Sequence, residues 1–390
     1  MSTRHTELRA ETLRCRRCVL PSNPPYVTLS SSGECSICAQ SDALLEQYGT
    51  GTAIGRSLWS NLVTEMRNQG SRHSRYDCLL GVSGGTDSSY LLHLLTQEFG
   101  LRVLAVHYDN TWNSAIATMN IARMLEKTRT DLYTYVVNNH EADDLFRAFF
   151  RAGVAEIEAS TDLGYAYLLR KVAAQYKIRF IIEGHSFTQE GITPLSNNYF
   201  DGRYIRDIHK KYGLRSMESY PLMTFRRFVT SATRHPVAFV RPLWYLNYSK
   251  RDARQLLTSN YSWQYYGGHH LENRMTAFYH TVYLPRKFNA DMRINSVSAL
   301  VRSGELTRAE GLAVLSEPVQ SEPGLIEYFC SRLRIDAAEF DRIMNEKPRS
   351  WTEFRTYKRW FEVLEPMFRI LAAKGRVPMS FYIKYCREKY

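Results

Sequence analysis

Asp77-Cys78-Leu79-Leu80-Gly81-Val82-Ser83-Gly84-Gly85-Thr86-Asp87-Ser88 decides the fold of this chain. An apolar run of strand length ends in two adjacent glycines flanked by short hydroxyl side chains. A segment with helical spacing (Leu91, Leu92, Leu95) follows at once. Paired glycines let the backbone approach a ligand closely, and the free N–H groups of a helix start favour an anion. Ser83, Gly84, Gly85, Thr86, Asp87 and Ser88 therefore read as a phosphate-binding loop, in which Ser83 and Ser88 offer hydroxyl donors. Asp87 reads as an oxygen ligand for Mg2+, an ion that keeps waters and phosphate oxygens in its shell. A plain strand-to-helix turn capped by Ser88 or Asp87 is the rival reading, but such a turn needs neither the strand context nor both hydroxyls. The spacing is not that of a Walker loop.

Outward from this loop, strand-length apolar runs at 102–108, 132–137, 179–182 and 237–240 alternate with segments of helical period. Such alternation predicts an α/β fold with a mostly parallel sheet covered on both faces, its ligands at the carboxyl ends of the strands. The strand ends supply further candidates: His107 and Asp109 after the second run, Gly184 and His185 after the fourth, and Arg241 before Pro242 after the fifth. An arginine at that last position would hold a phosphate as charge develops. Ser249 and Asp252 suit the cap of a following helix. Beyond about residue 250 strand patterns stop, and 297–314 and 351–371 read as helices.

Cys15-x-x-Cys18 and Cys35-x-x-Cys38, separated by sixteen residues, have the spacing of a four-thiolate zinc ribbon. A closed thiolate site leaves no open position for substrate, so its role would be structural or for docking. A redox pair is the alternative, disfavoured because the doubled motif precedes the alternating region instead of starting a helix inside it. The segment is too short for a core of its own and would depend on the metal. The expected organisation is a zinc-binding module over 1–48, a linker helix over 49–75, an α/β domain built around the phosphate-binding loop over 76–250 and a helical substrate or lid domain over 251–390.

With 390 residues, 44% apolar and 13% aromatic, the chain can bury a sizeable core. The net charge of +12 is spread along the sequence, and a pocket for nucleotides and acidic sugars also needs positive charge, so it does not single out nucleic acid. Without an apolar run of spanning length or an apolar signal region after Met1, the expectation is a cytoplasmic protein with no membrane partner.

The Ser83–Ser88 loop resembles the PP-loop of the ATP pyrophosphatase superfamily, whose HUP-like sheet holds the pyrophosphate of ATP there. Longer stretches extend the likeness: Glu183 to Pro194, Tyr199 to Gly202, Ile208 to Gly213, Trp263 to His270, Glu272 to Arg274 and Leu284 to Phe288. Together with the cysteine pairs they resemble the N-acetyl sugar amidotransferase family of surface-polysaccharide biosynthesis, over about 15–347. The resemblance implies ATP, Mg2+ and structural Zn2+. It also implies adenylation of an acetamido oxygen with release of pyrophosphate, then transfer of ammonia to give an amidine and AMP. Asp87, Ser88, His185 and Arg241 would be catalytic, and His107 and Asp109 would lie by the adenosine. Gln189, Glu190, Asn197, Asn198, Tyr199, Asp201, Arg203 and Lys210 would face a sugar, with His269, His270, Glu272 and Arg274 completing the pocket. Ser2, not cysteine, follows Met1, so ammonia would come from separate glutaminase and channel subunits. Thr86 stands where many relatives have Lys. No cysteine lies near Ser160-Thr161-Asp162, which counts against the alternative of a sulfur-inserting tRNA-modifying enzyme. A non-catalytic ATP-binding protein is the other alternative.

Overall fold

Five strands, β1 (Cys78–Gly81), β2 (Val103–Asp109), β3 (Asp131–Val136), β4 (Phe180–Ile182) and β5 (Ala238–Val240), pair in parallel in the order β3-β2-β1-β4-β5. Each lies within a residue of the run expected from the sequence. The computed structural model describes residues 13–194, 198–268, 271–374, 376–377 and 379–387. β1 and β2 are buried almost throughout, as central parallel strands must be, whereas the edge strand β3 keeps part of its surface in solvent.

Helices α1 (Ser36–Tyr48) and α2 (Ala53–His73) precede the sheet; α3 (Thr86–His93), α4 (Ala115–Thr128), α5 (Asn139–Ala152) and α6 (Ala159–Gln175) connect its first four strands. After β4 come α7 (Gly202–Tyr212) and α8 (Phe225–Arg234), and after β5 comes α9 (Lys250–Tyr261). The period-2 alternation of the strands divides the core in two. Cys78, Leu80, Val103, Ala105 and Ile182 pack with Trp59, Leu91, Leu95, Met124 and Leu257 on one face. Leu79, Leu104, Val106 and Ile181 pack with Phe146, Phe149, Leu168 and Val172 on the other.

The C-terminal region is helical: α10 (Arg274–Phe278), α11 (Leu284–Phe288), α12 (Arg293–Arg302), α13 (Arg308–Ser316), α14 (Leu325–Leu333), α15 (Ala337–Asn345), α16 (Lys358–Val363) and α17 (Glu365–Ala373). α10, α14 and α15 add to the second core, where Phe278 stacks on Phe329 with ring centroids 3.6 Å apart, whereas Phe361 and Phe368 of α16 and α17 form a further cluster against α8. The segment expected as one helix over 297–314 is two. Gly304 takes φ +78°, and a reciprocal Thr307–Glu310 capping box starts α13. Likewise 351–371 divides into a 3-10 turn, α16 and α17, with Pro366 at the start of α17. No helix among the described residues is long and apolar enough to cross a membrane.

Candidate active site and cysteine centre

β1 has β2 on one side and β4 on the other, so chain connections leave it in opposite directions and a crevice opens at the carboxyl ends of the strands. A cavity of about 630 Å³ lies there, walled by Ser83, Gly85, Asp87 and Ser88 of the loop, by His107, and by Glu183, Gly184, His185 and Arg241. Its size is within the range of small-molecule and cofactor sites.

The loop is shaped by its glycines and braced from outside. Gly84 has φ +79°, and a Cβ there would come 2.3 Å from the carbonyl oxygen of Ala117. A Cβ on Gly85 would project toward Glu272 Oε1 at 2.8 Å. Trp263 Nε1 and Asn120 Nδ2 donate to the Gly84 carbonyl at 3.2 and 3.3 Å, and the Thr86 N–H donates to Tyr266 Oη at 3.2 Å. Ser83 Oγ donates to Glu272 Oε1 at 3.2 Å and accepts from the Gly85 N–H at 3.2 Å. Glu272 reaches the loop because Asn273 Nδ2 donates to Asn110 Oδ1 and Asn113 Oδ1 at the end of β2, at 2.8 and 3.1 Å.

Asp87, in the first turn of α3, accepts from Tyr248 Oη on one oxygen and pairs with Lys250 Nζ at 2.9 Å on the other. Lys250 also pairs with Glu190 at 3.0 Å. Burial works to lower the lysine's pKa, but the two carboxylates outweigh it and hold the ammonium above its ordinary value. Burial raises the Asp87 carboxyl, against the pull of Lys250 and Tyr248. Lys250 sits in the first turn of α9, where a cation opposes the helix dipole. That misfit is the signal by which sequence reasoning, which passed over Lys250 and Tyr248, could have found it.

Arg241 Nε donates to Glu183 Oε2 at 2.7 Å, and its guanidinium lies 4.7 Å over the Trp244 ring. His185 lines the wall but uses both ring nitrogens internally: Trp244 Nε1 donates to Nδ1 at 3.3 Å and Nε2 donates to the Gly191 carbonyl at 2.9 Å. Burial lowers its pKa, which keeps it neutral. His107 is similarly engaged, by the Val82 carbonyl at 2.9 Å and Asn113 Nδ2 at 3.3 Å. Three expected binding residues are not on the wall: Gly84 turns to Ala117, Thr86 is buried, and Asp109 accepts from Thr111 N and Asn113 Nδ2.

A second cavity of about 390 Å³ shares Thr161, Asp162, His185, Glu190 and Thr276 with the first and adds Glu156, Glu158 and Asn198. Burial pushes the Glu156 carboxyl up to about 7, although Tyr204 Oη donates to it at 2.9 Å. Of the proposed sugar-facing residues, Glu190 and Asn198 line this annex. Tyr199 and Asp201 are buried and bonded to each other, Asp201 also capping α7. Gln189 accepts from the Lys250 N–H, Arg203 reaches the Thr356 carbonyl, and Lys210 is exposed. Arg274 turns to Glu322 at 3.0 Å. Asn197, His269 and His270 lie outside the described residues.

At the other end of the chain, Cys15, Cys18, Cys35 and Cys38 are buried with their sulfurs within 4.8 Å of one another. Three of the sulfur separations are 3.8, 3.7 and 3.5 Å. A zinc tetrahedron with metal–sulfur bonds near 2.3 Å requires an edge of about 3.8 Å, and these three separations are close to it. The backbone N–H groups of Cys18 and Cys35 donate to Cys15 Sγ, and Arg308 Nε ties the carbonyls of Cys15 and Cys18 to α13.

Residues 272–367 match the family model "LPS biosynthesis protein WbpG-like, C-terminal domain". This agrees with the likeness to surface-polysaccharide enzymes in the sequence. The chain is 31% identical over 114 residues to an uncharacterized protein of Methanocaldococcus jannaschii, a match spanning 28% of this chain and 39% of that protein. Among solved structures it is similar to NMN synthetase from Francisella tularensis (TM-score 0.32, 13% identity, 73% of this chain and 95% of that one). It is also similar to NH3-dependent NAD synthetase from Campylobacter jejuni (0.33, 13%, 75% and 97%). A third is the U34-tRNA thiolase NcsA from Methanococcus maripaludis (0.32, 13%, 80% and 90%).

Proposed function

We propose that the chain is an AMP-forming, ATP-dependent amidotransferase that converts an acetamido group on a nucleotide-linked sugar into an amidine. The observation that carries this reading is the meeting, across one cavity, of the Gly-rich loop at the head of α3 with Glu272 of the WbpG-like segment. The loop would take the two outer phosphates of ATP against the start of α3. Arg241, whose guanidinium stands at the cavity wall, would face the α-phosphate.

An amide oxygen leaves poorly, so ammonia can replace it only after activation. In this scheme the acceptor's oxygen attacks the α-phosphorus and the bond to pyrophosphate breaks. Ammonia then adds to the activated carbon, AMP departs with the oxygen, and one proton is lost to leave the amidine in its protonated, amidinium form. The annex holding Glu190 and Asn198 opens from the cavity at His185 and is the place for the acceptor. Its carboxylates would also draw in ammonium and accept its proton. Asp87 suits a divalent cation: it and Glu190 flank a position where the Lys250 ammonium already holds positive charge. Magnesium there would neutralise the departing pyrophosphate. A separate glutaminase and channel are the proposed ammonia source. No cysteine is among the described residues of the wall, which weighs against sulfur insertion.

The test incubates the protein with ATP, magnesium, ammonium and UDP- and CMP-linked acetamido sugars. Mass spectrometry should show AMP together with the mass change of an O-to-NH exchange. ADP as product would overturn the mechanism. Asp87→Asn should lower AMP formation by about a hundredfold or more while the circular dichroism spectrum stays unchanged.

A further inference from the structure

Behind the wall that carries Glu183 lies another pocket of about 210 Å³, lined by residues of α6, α8, β5, α16 and the C-terminal segment. Phe225, Phe228, Phe239, Phe361 and Phe381 make its surface apolar, and Arg170 of α6 stands in it. Arg170 is only 6% exposed, and its Nη1 has no hydrogen-bond partner among the described residues. Its guanidinium lies 4.9 Å from the Phe239 ring centre and 5.7 Å from that of Phe228. The comparably buried Arg147, by contrast, has the carboxylate of Asp144. Two carboxylates share this lining: Glu183, which acts on Arg170 but is ion-paired with Arg241 on the side of the active site, and Asp201, which accepts from Tyr199 and caps α7. Burial, with Glu183 opposing it, lowers the Arg170 pKa to about 10, still a charged group at neutral pH.

A buried charge is ordinarily paired. Ring faces offset the desolvation of a guanidinium but leave its N–H groups without acceptors. We propose that this cavity binds a small organic anion, one apolar ring or short chain ending in a carboxylate or phosphate, with Arg170 as its counter-ion. An apolar cavity of about 150 Å³ accommodates benzene, so the volume here suits a ring plus its anionic group. Because Glu183 touches both cavities, a ligand on Arg170 changes the electrostatic setting of Arg241.

The experiment titrates the full chain, without nucleotide, with benzoate, phenyl phosphate and the neutral benzyl alcohol, read by calorimetry and saturation-transfer NMR. Saturable binding of one or both anions is expected, with benzyl alcohol weaker by about tenfold or more. The preferred anion tells carboxylate from phosphate. Arg170→Met should weaken that anion by at least about tenfold. Ala166→Leu, which keeps the arginine but fills the space, should abolish binding in a protein of unchanged circular dichroism. The proposal is overturned if neither anion binds at about 10 mM, if benzyl alcohol binds equally well, or if both variants bind like the parent.

Discussion

In the cysteine centre four buried sulfurs are already gathered within 4.8 Å of one another, and backbone N–H groups and Arg308 hold the segment that carries them. At the strand ends the opposite holds. Asp87 is taken up by Tyr248 and Lys250, the Ser83 hydroxyl by Glu272, and the Thr86 N–H by Tyr266. A closed site can be complete before its ion arrives. A site that turns over must hold its charges on partners that a ligand can displace.

The difference is sharpest for the metal. If the four thiolates hold zinc, Cys35→Ser should lower the metal bound per chain and leave 13–48 open to proteolysis, since a structural site of this kind contributes on the order of 10 kcal/mol; metal analysis and limited proteolysis check both. Lys250→Met tests the cavity's internal pairing. It leaves the Asp87 and Glu190 carboxylates facing each other without their cation and should destabilise the fold by about 3–5 kcal/mol in urea unfolding. That loss should shrink as the pH falls and a carboxylate takes up a proton.

Glu156 gives the pH signature of the annex. Its folded pKa of about 7 lies above the usual 4.5, so the folded state binds the extra proton between those values. Stability therefore falls as pH rises through that window and stays lower above it. Glu156→Gln should flatten this slope and raise stability at pH 8 by up to about 3 kcal/mol in thermal or urea unfolding. The smallest effect is expected for His185→Asn. A neutral ring with both nitrogens bonded inside the protein supports the wall, and AMP formation should fall by less than about tenfold.

Strands and loop were legible because local rules set them: buried apolar runs for β1 and β2, and a glycine pair that only an αL turn and close contact require. The cysteine spacing was legible because its ligands are near in sequence. What was not legible depends on distant contact. Which glycine faces the cavity follows from Ala117 and Glu272, and the engagement of His185 follows from Trp244. Lys250 carried a local hint, a cation at a helix start, but its meaning needed Asp87 and Glu190 beside it. The break between α12 and α13 was written at Gly304 and Thr307, yet apolar periodicity runs through it.

Ser83 and Glu272 are joined across 189 positions of sequence. During synthesis the Gly-rich loop leaves the ribosome long before the carboxylate that braces it, so a nascent chain carries the glycines, strands and lysine but an unfinished chamber. Completion of the chamber is thereby tied to late translation, and a prematurely terminated product ending before residue 272 would lack that part of the cavity wall.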